Sequence, residues 1–130
     1  MKTAAGDART YTTFAKILNR RAVTTGKGAT RAVMLLRRAL TLDPGQMEAY
    51  LELAAIENGR GQFQESRKLL EKAASVSPSA PEPHYHLARL YQKLGMDHKA
   101  AVESQTFREL RRKAASAQVT LAVDLKKQPQ

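Results

Sequence analysis

Apolar positions along the chain recur at helical spacing, and the same short pattern returns 34 residues later. Tyr50-x-x-Leu53-Ala54 steps to His84-x-x-Leu87-Ala88, Gly61 steps to Gly95, and Leu42-Asp43-Pro44 steps to Val76-Ser77-Pro78. Ungapped matches at one period mark a repeat architecture, in which each unit is too small to bury its own apolar face. Within the unit Tyr50, Leu53, Ala54 and Glu57 lie on one predicted helix. Ser66, Leu69, Leu70, Ala73 and Ala74 lie on the next. Asn58-Gly59-Arg60-Gly61 breaks the pair, because glycine takes turn conformations that other residues resist. Asp43-Pro44 and Ser77-Pro78 close the units, since a residue before proline is pushed out of the helical region. Pro81-Glu82 after Ser79-Ala80 reads as a helix start, with proline tolerated and acid favoured in the first turn.

An irregular copy of the unit comes first. Tyr11, Phe14, Ala15 and Leu18 have first-helix spacing, and Ala32, Leu36, Ala39, Leu40 and Asp43-Pro44 have second-helix spacing. Five extra residues lie between them, within Asn19 to Thr30, so either the hairpin loop is long or the first helix runs on. Ala54, Ala73, Ala88 and Ala100 are predicted at close helix crossings, where a larger side chain would force the backbones apart.

This unit resembles the tetratricopeptide repeat. Residues 47–80 carry its pattern in Tyr50, Leu53, Ala54, Gly61, Phe63, Leu70, Ala73 and Pro78, with Ser66 for the usual Ala and Glu57 for an aromatic or Leu. Residues 81–113 follow with Leu87, Ala88, Tyr91, Gly95 and Ala100, His84 taking the aromatic place and Phe107 standing where the family prefers Ala. The resemblance implies an all-α chain, a right-handed α-solenoid of three repeats (about 8–46, 47–80 and 81–113) with a C-terminal helical extension. Residues 114–130 are then a cap extension and polar tail. The array's end is expected over residues 111–130, where an Arg-rich extension of the last helix precedes Val119-Thr120-Leu121-Ala122-Val123, a segment to which no role is assigned.

Composition adds constraints. The chain of 130 residues has no Cys, so it holds no disulfide framework or thiolate metal site. Aromatic residues are 5% and Trp is absent, so the core is aliphatic and Ala-rich. No window approaches the ~18 apolar residues of a membrane span. Met1 to Asp7 carry a charge with no apolar stretch behind it, unlike a signal peptide. A cytoplasmic location is the default, and a domain of a longer exported protein fits as well. Net charge is +10, divided as +7 over residues 1–46, −1 over 47–80 and +4 over 81–130.

No catalytic constellation emerges. Gly26-Lys27-Gly28-Ala29-Thr30 fails as a phosphate loop, having Arg21 where the motif needs its first Gly and Gly28 where it needs Ser or Thr. His84 and His86 point about 200° apart on a helix and cannot share an ion. None of the six Ser lies in a Gly-x-Ser-x-Gly elbow. Glu48 and Glu52 lie four apart on one helix face, as solvated or partner-contacting charges do. Neither a metal nor a cofactor is expected, and the chain reads as a non-enzyme.

The resemblance places binding on a concave groove lined by the first helices of the repeats. It implies partner contacts from Lys16 and Arg20, then Glu48, Glu52 and Asn58, then Tyr85, His86, Arg89 and Lys93, with Arg9, Thr12 and Thr13 on the same face. The groove is expected to be basic at both ends and acidic in the middle, with Tyr85 as its aromatic anchor. The carboxylate clamp of chaperone-binding members is not matched, because its places hold Thr12, Lys16, Glu52, Glu82 and His86. The expected function is a protein–protein interaction module for a peptide or protein, with an acidic partner suited to the charge. A basic nucleic-acid-binding accessory ranks second, and a structural spacer or oligomerisation unit is the third reading.

Overall fold

The structure is a computed structural model that describes residues 4–22 and 27–127, with side chains at 6–18 and 29–127. Among these residues every regular element is helical. The helices are α1 (Ala4–Ala22), α2 (Lys27–Leu42), α3 (Met47–Gly59), α4 (Phe63–Val76), α5 (Glu82–Lys93) and α6 (Asp97–Lys127). They pair in order as three hairpins, α1 on α2, α3 on α4 and α5 on α6. Backbone contacts divide the chain into two compact units, Met1–Pro78 and Ser79–Gln130.

Each hairpin turn follows from local chemistry. Gly61 and Gly95, one period apart, have φ of 77° and 74°, a left-handed conformation that a Cβ disfavours. Both terminate helices in the same way. Gly61 N–H donates to Asn58 O and Gln62 N–H to Glu57 O, while Gly95 N–H donates to Gln92 O and Met96 N–H to Tyr91 O. These paired bonds satisfy carbonyls that a helix end otherwise leaves open.

Second helices end where proline follows. α2 stops at Leu42 before Asp43-Pro44 and α4 at Val76 before Ser77-Pro78. One period on, Arg111-Arg112 stands in place of the proline pair, and α6 runs on without a break to Lys127. Val119–Val123 is therefore helical, and every residue from 111 to 127 is exposed.

The five extra residues of the first repeat are absorbed mainly by helix. Relative to Ala15 and Ala54, α1 reaches two residues further than α3; relative to Ala32 and Ser66, α2 begins two residues earlier than α4. Only one residue of added length falls to the connection. The connection itself, with Gly26 of the rejected phosphate loop, lies outside the described residues.

In the first unit Ala8, Ala15, Ala32, Leu36, Ala39, Ala49, Leu53 and Ile56 form the buried core. The four alanines expected at helix crossings, Ala54, Ala73, Ala88 and Ala100, are all buried. Ser66, at the usual Ala place, is buried too, and its hydroxyl donates to Ala54 O on the facing helix at 2.9 Å. Tyr50 closes the other end of α3 by donating its phenolic O–H to Pro44 O at 2.9 Å.

Two glycines two residues apart, Gly59 and Gly61, allow a direct test of this account. No neighbour lies within 4 Å of a Cβ built on Gly59 or Gly61, so only backbone conformation differs between them. Gly61→Ala is expected to destabilise by about 1 kcal/mol through the left-handed φ, whereas Gly59→Ala, in helix, should stabilise by about 0.5 kcal/mol. Urea unfolding midpoints measure both, and shifts of the same sign would contradict the turn geometry.

Candidate functional site

The first helices of the hairpins, α1, α3 and α5, carry the candidate residues. In the first unit Lys16 of α1 and Glu48 of α3 meet as an ion pair, Nζ to Oε1 at 2.7 Å. Two residues expected to contact a partner thus contact each other. Their side chains remain partly exposed, a setting in which such a pair contributes about 0.2–1 kcal/mol. Glu52, on the same helix as Glu48, is half-buried. Asn58 is half-buried with its Oδ1 turned away from solvent. The side chain of Arg20 lies outside the described residues.

Thr12 departs from the expectation for its face. It is fully buried, because the first residue before α3, Gln46, reaches across to it. With the Gln46 amide oriented to satisfy its neighbours, Nε2 donates to Thr12 Oγ1 at 2.7 Å and Oε1 accepts from the Arg9 backbone N–H at 3.2 Å. The Thr12 hydroxyl in turn donates to Ala8 O at 3.1 Å. This is a structural lock between α1 and α3 and leaves Thr12 unavailable to a ligand. A lone Gln before a helix gives no sequence signal for it.

In the second unit Tyr85 is 39% exposed and is the centre of a cluster. Arg89, one turn along α5, donates from Nη1 to the Tyr85 hydroxyl at 2.9 Å and lies 5.7 Å from its ring centroid. The Phe107 ring of α6 approaches Tyr85 at 5.4 Å between centroids, and the Arg111 guanidinium lies 5.6 Å from the Phe107 ring. Phe107, irregular for the repeat, is thereby explained as the support of the Tyr85 ring. His86 meets Tyr85 edge-on at 5.3 Å. Lys93 is exposed on the last turn of α5. Tyr85, His86 and Arg89 are therefore brought together, while Lys93 lies further along the helix.

The two neighbouring histidines have separate surroundings. His84 Nδ1 sits 2.6 Å from Glu103 Oε2 on α6, inside the hairpin. His86 faces outward, yet packing around its ring lowers its pKa from the ordinary 6.5. Desolvation is the largest cause, the positive charge of Arg89 adds to it, and Glu82 opposes both. Among the described residues no three His, Asp or Glu side chains gather as a metal site, and no helix is long and apolar enough to cross a membrane.

Paired helices with matching left-handed glycines one period apart define an all-α helical-repeat protein of the solenoid class. Residues 47–90 match the family model of the tetratricopeptide repeat. It is 34% identical over 84 residues to human Tetratricopeptide repeat protein 8, covering 64% of this chain and 16% of that protein. It is 36% identical over 78 residues to TPR repeat-containing protein YvcD of Bacillus subtilis, covering 59% of this chain and 16% of that protein. The match thus spans about a sixth of each relative's length. Among solved structures, MamA is similar with a TM-score of 0.72 at 20% identity, over 85% of this chain and 61% of that one. The Yersinia enterocolitica type III secretion translocator chaperone SycD is similar with a TM-score of 0.67 at 21% identity, over 94% of this chain and 95% of that one. At such identities the likeness is one of fold.

His86 offers a local check on the α5 surface. A folded pKa below the unfolded one means that the native state favours neutral imidazole. The associated stability is complete above pH 6.5 and is lost as pH falls through the folded pKa. In an NMR titration the His86 ring protons should show a midpoint below 6.5. Arg89→Gln should raise that midpoint without restoring it, because the larger cause is burial. A midpoint at or above 6.5 in the unaltered chain would contradict the described packing.

Proposed function

We propose that the chain is a non-catalytic interaction module that holds another protein or peptide on the exposed faces of its first helices. The observation that carries this reading is the Tyr85 cluster. An exposed aromatic ring is fixed from one side by Phe107 and through its hydroxyl by Arg89. Such a ring meets a partner with little conformational freedom left to lose, and aromatic and Arg side chains are the usual anchors of protein interfaces. Arg89 beside it favours an acidic or hydrogen-bond-accepting segment. The tetratricopeptide-repeat match over residues 47–90 supports the same reading, since helical repeats commonly serve as extended binding surfaces. SycD, similar in fold, is a translocator chaperone and so acts on another protein.

The first unit contributes differently. Its Lys16–Glu48 pair is already self-satisfied, so a ligand there must displace or bridge that contact. A partner suited to this surface presents a carboxylate near an apolar side chain.

Affinity of a captured partner should fall by about 2 kcal/mol or more on Tyr85→Ala, and fall also on Arg89→Glu. Charge reversal of Arg37, exposed on α2, should leave it unchanged. Isothermal titration at two salt concentrations measures all of these. A nucleic-acid ligand would behave oppositely, with steep loss between about 50 and 200 mM salt and with loss on reversal of Arg111 and Arg112 rather than at Tyr85. That result would replace this reading with the nucleic-acid one.

A further inference from the structure

The first hairpin leaves an apolar face open. Phe14 and Ile17 of α1 are 46% and 48% exposed, and with Tyr11 and Leu35 they line a shallow depression of about 560 Å³ edged by Arg9. Exposure at these places runs against the repeat. Aligning Ala15 with Ala54 puts Phe14 at the position of Leu53 and Ile17 at that of Ile56. Leu53 and Ile56 are buried in one core with Ala32, Leu36 and Ala39 of α2, so that register on α3 is seated against a helix. The corresponding register on α1 has the same apolar character and no helix of the described chain upon it.

Charge identifies the occupant. Arg9 lines the depression, and Arg31 and Arg38, four residues before and three after Leu35, flank it along α2. All three are exposed, and among the described residues no carboxylate lines the depression. A second copy seated through the same face would bring these guanidinium groups together. The exposed helical tail of a second copy fares no better, since residues 111–127 hold five Lys or Arg against Asp124 alone. We infer that this face of α1 and α2 docks an acidic amphipathic helix of a partner protein, with its apolar stripe on Phe14 and Ile17 and its carboxylates toward Arg9, Arg31 and Arg38. The recognition mode is a helix laid in an apolar groove, read through anchors at i, i+3 or i+4, and i+7. This surface is separate from the Tyr85 cluster on α5.

The test uses the full chain and three synthetic peptides. One is a helical peptide with Leu at i, i+4, i+7 and i+11 and Glu on its polar face. The second replaces each Glu by Lys, and the third scrambles the acidic sequence. The chain has two isoleucines, Ile17 and Ile56, so methyl labelling yields one signal on the proposed face and one in the core. Binding of the acidic helix should shift the Ile17 methyl and leave Ile56 in place. Affinity for it should exceed that for the basic and scrambled peptides at least tenfold. Phe14→Ala should reduce binding about tenfold or more, and Arg31→Glu with Arg38→Glu should do the same, while Tyr85→Ala leaves it intact. Because Phe14 is half exposed its truncation should preserve the fold, and Ile17→Gln gives an independent second variant. Equal binding of acidic and basic helices, shifts confined to Ile56, or loss on Tyr85→Ala alone would each overturn the inference. So would a dimer in sedimentation that Phe14→Glu dissolves, which would assign the face to a second copy.

Discussion

Where α1, α2 and α3 meet, Ala8, Ala15, Ala32, Ala39 and Ala49 are each 0% exposed. Methyl groups at those places let helix axes approach closely, and any larger side chain would overpack the crossing. The bulk of the core is then left to a few branched side chains, Leu36, Leu53 and Ile56, which fill the spaces between crossings. This explains why a chain with 5% aromatic residues and no Trp still builds a core in its first unit. It also explains Ser66. At the crossing with Ala54 a hydroxyl fits as well as a methyl, provided that it finds an acceptor, and the Ala54 carbonyl supplies one.

Much of this was legible in the residues because it repeats. The glycines at 61 and 95 share one conformation since they share one task, and the alanines at 54 and 88 share burial for the same reason. Prolines at 44 and 78 predict where α2 and α4 end, and the lack of one at Arg112 lets α6 continue. That continuation decides the state of Val119–Val123. Its β-branched residues alone are ambiguous between strand and helix, but a helix already propagating needs no new nucleus.

The contacts that repetition does not encode were hidden. Gln46 to Thr12 and Lys16 to Glu48 join α1 to α3 through polar pairs, and one repeat on Ala80 stands at the place of Gln46 and Ala55 at that of Lys16. Their consequences are functional. The first removes Thr12 from the accessible surface, and the second neutralises charges that looked available to a ligand. On α5 the reverse occurred. Phe107, which departs from the repeat, and Tyr85, which was visible as an aromatic on the first helix, prove to be one cluster with Arg89 and Arg111.

Departures from the repeat also set a direction. On α2 the residues that face the next hairpin include Leu36, Ala39 and Leu40, and on α4 the same register holds Leu70, Ala73 and Ala74. On α6 it holds Ser104, Phe107 and Arg108. A hydroxyl, a ring already engaged by Tyr85 and a charge replace an apolar seat, and burying them under another helix would cost desolvation without matching packing. α1, by contrast, keeps the apolar register of α3 at Phe14 and Ile17 and leaves it exposed. Helix stacking is therefore favoured on the α1 side and opposed on the α6 side. The two proposed contacts thus differ in chemistry: apolar stacking with an acidic complement at α1 and α2, and a braced aromatic anchor at α5.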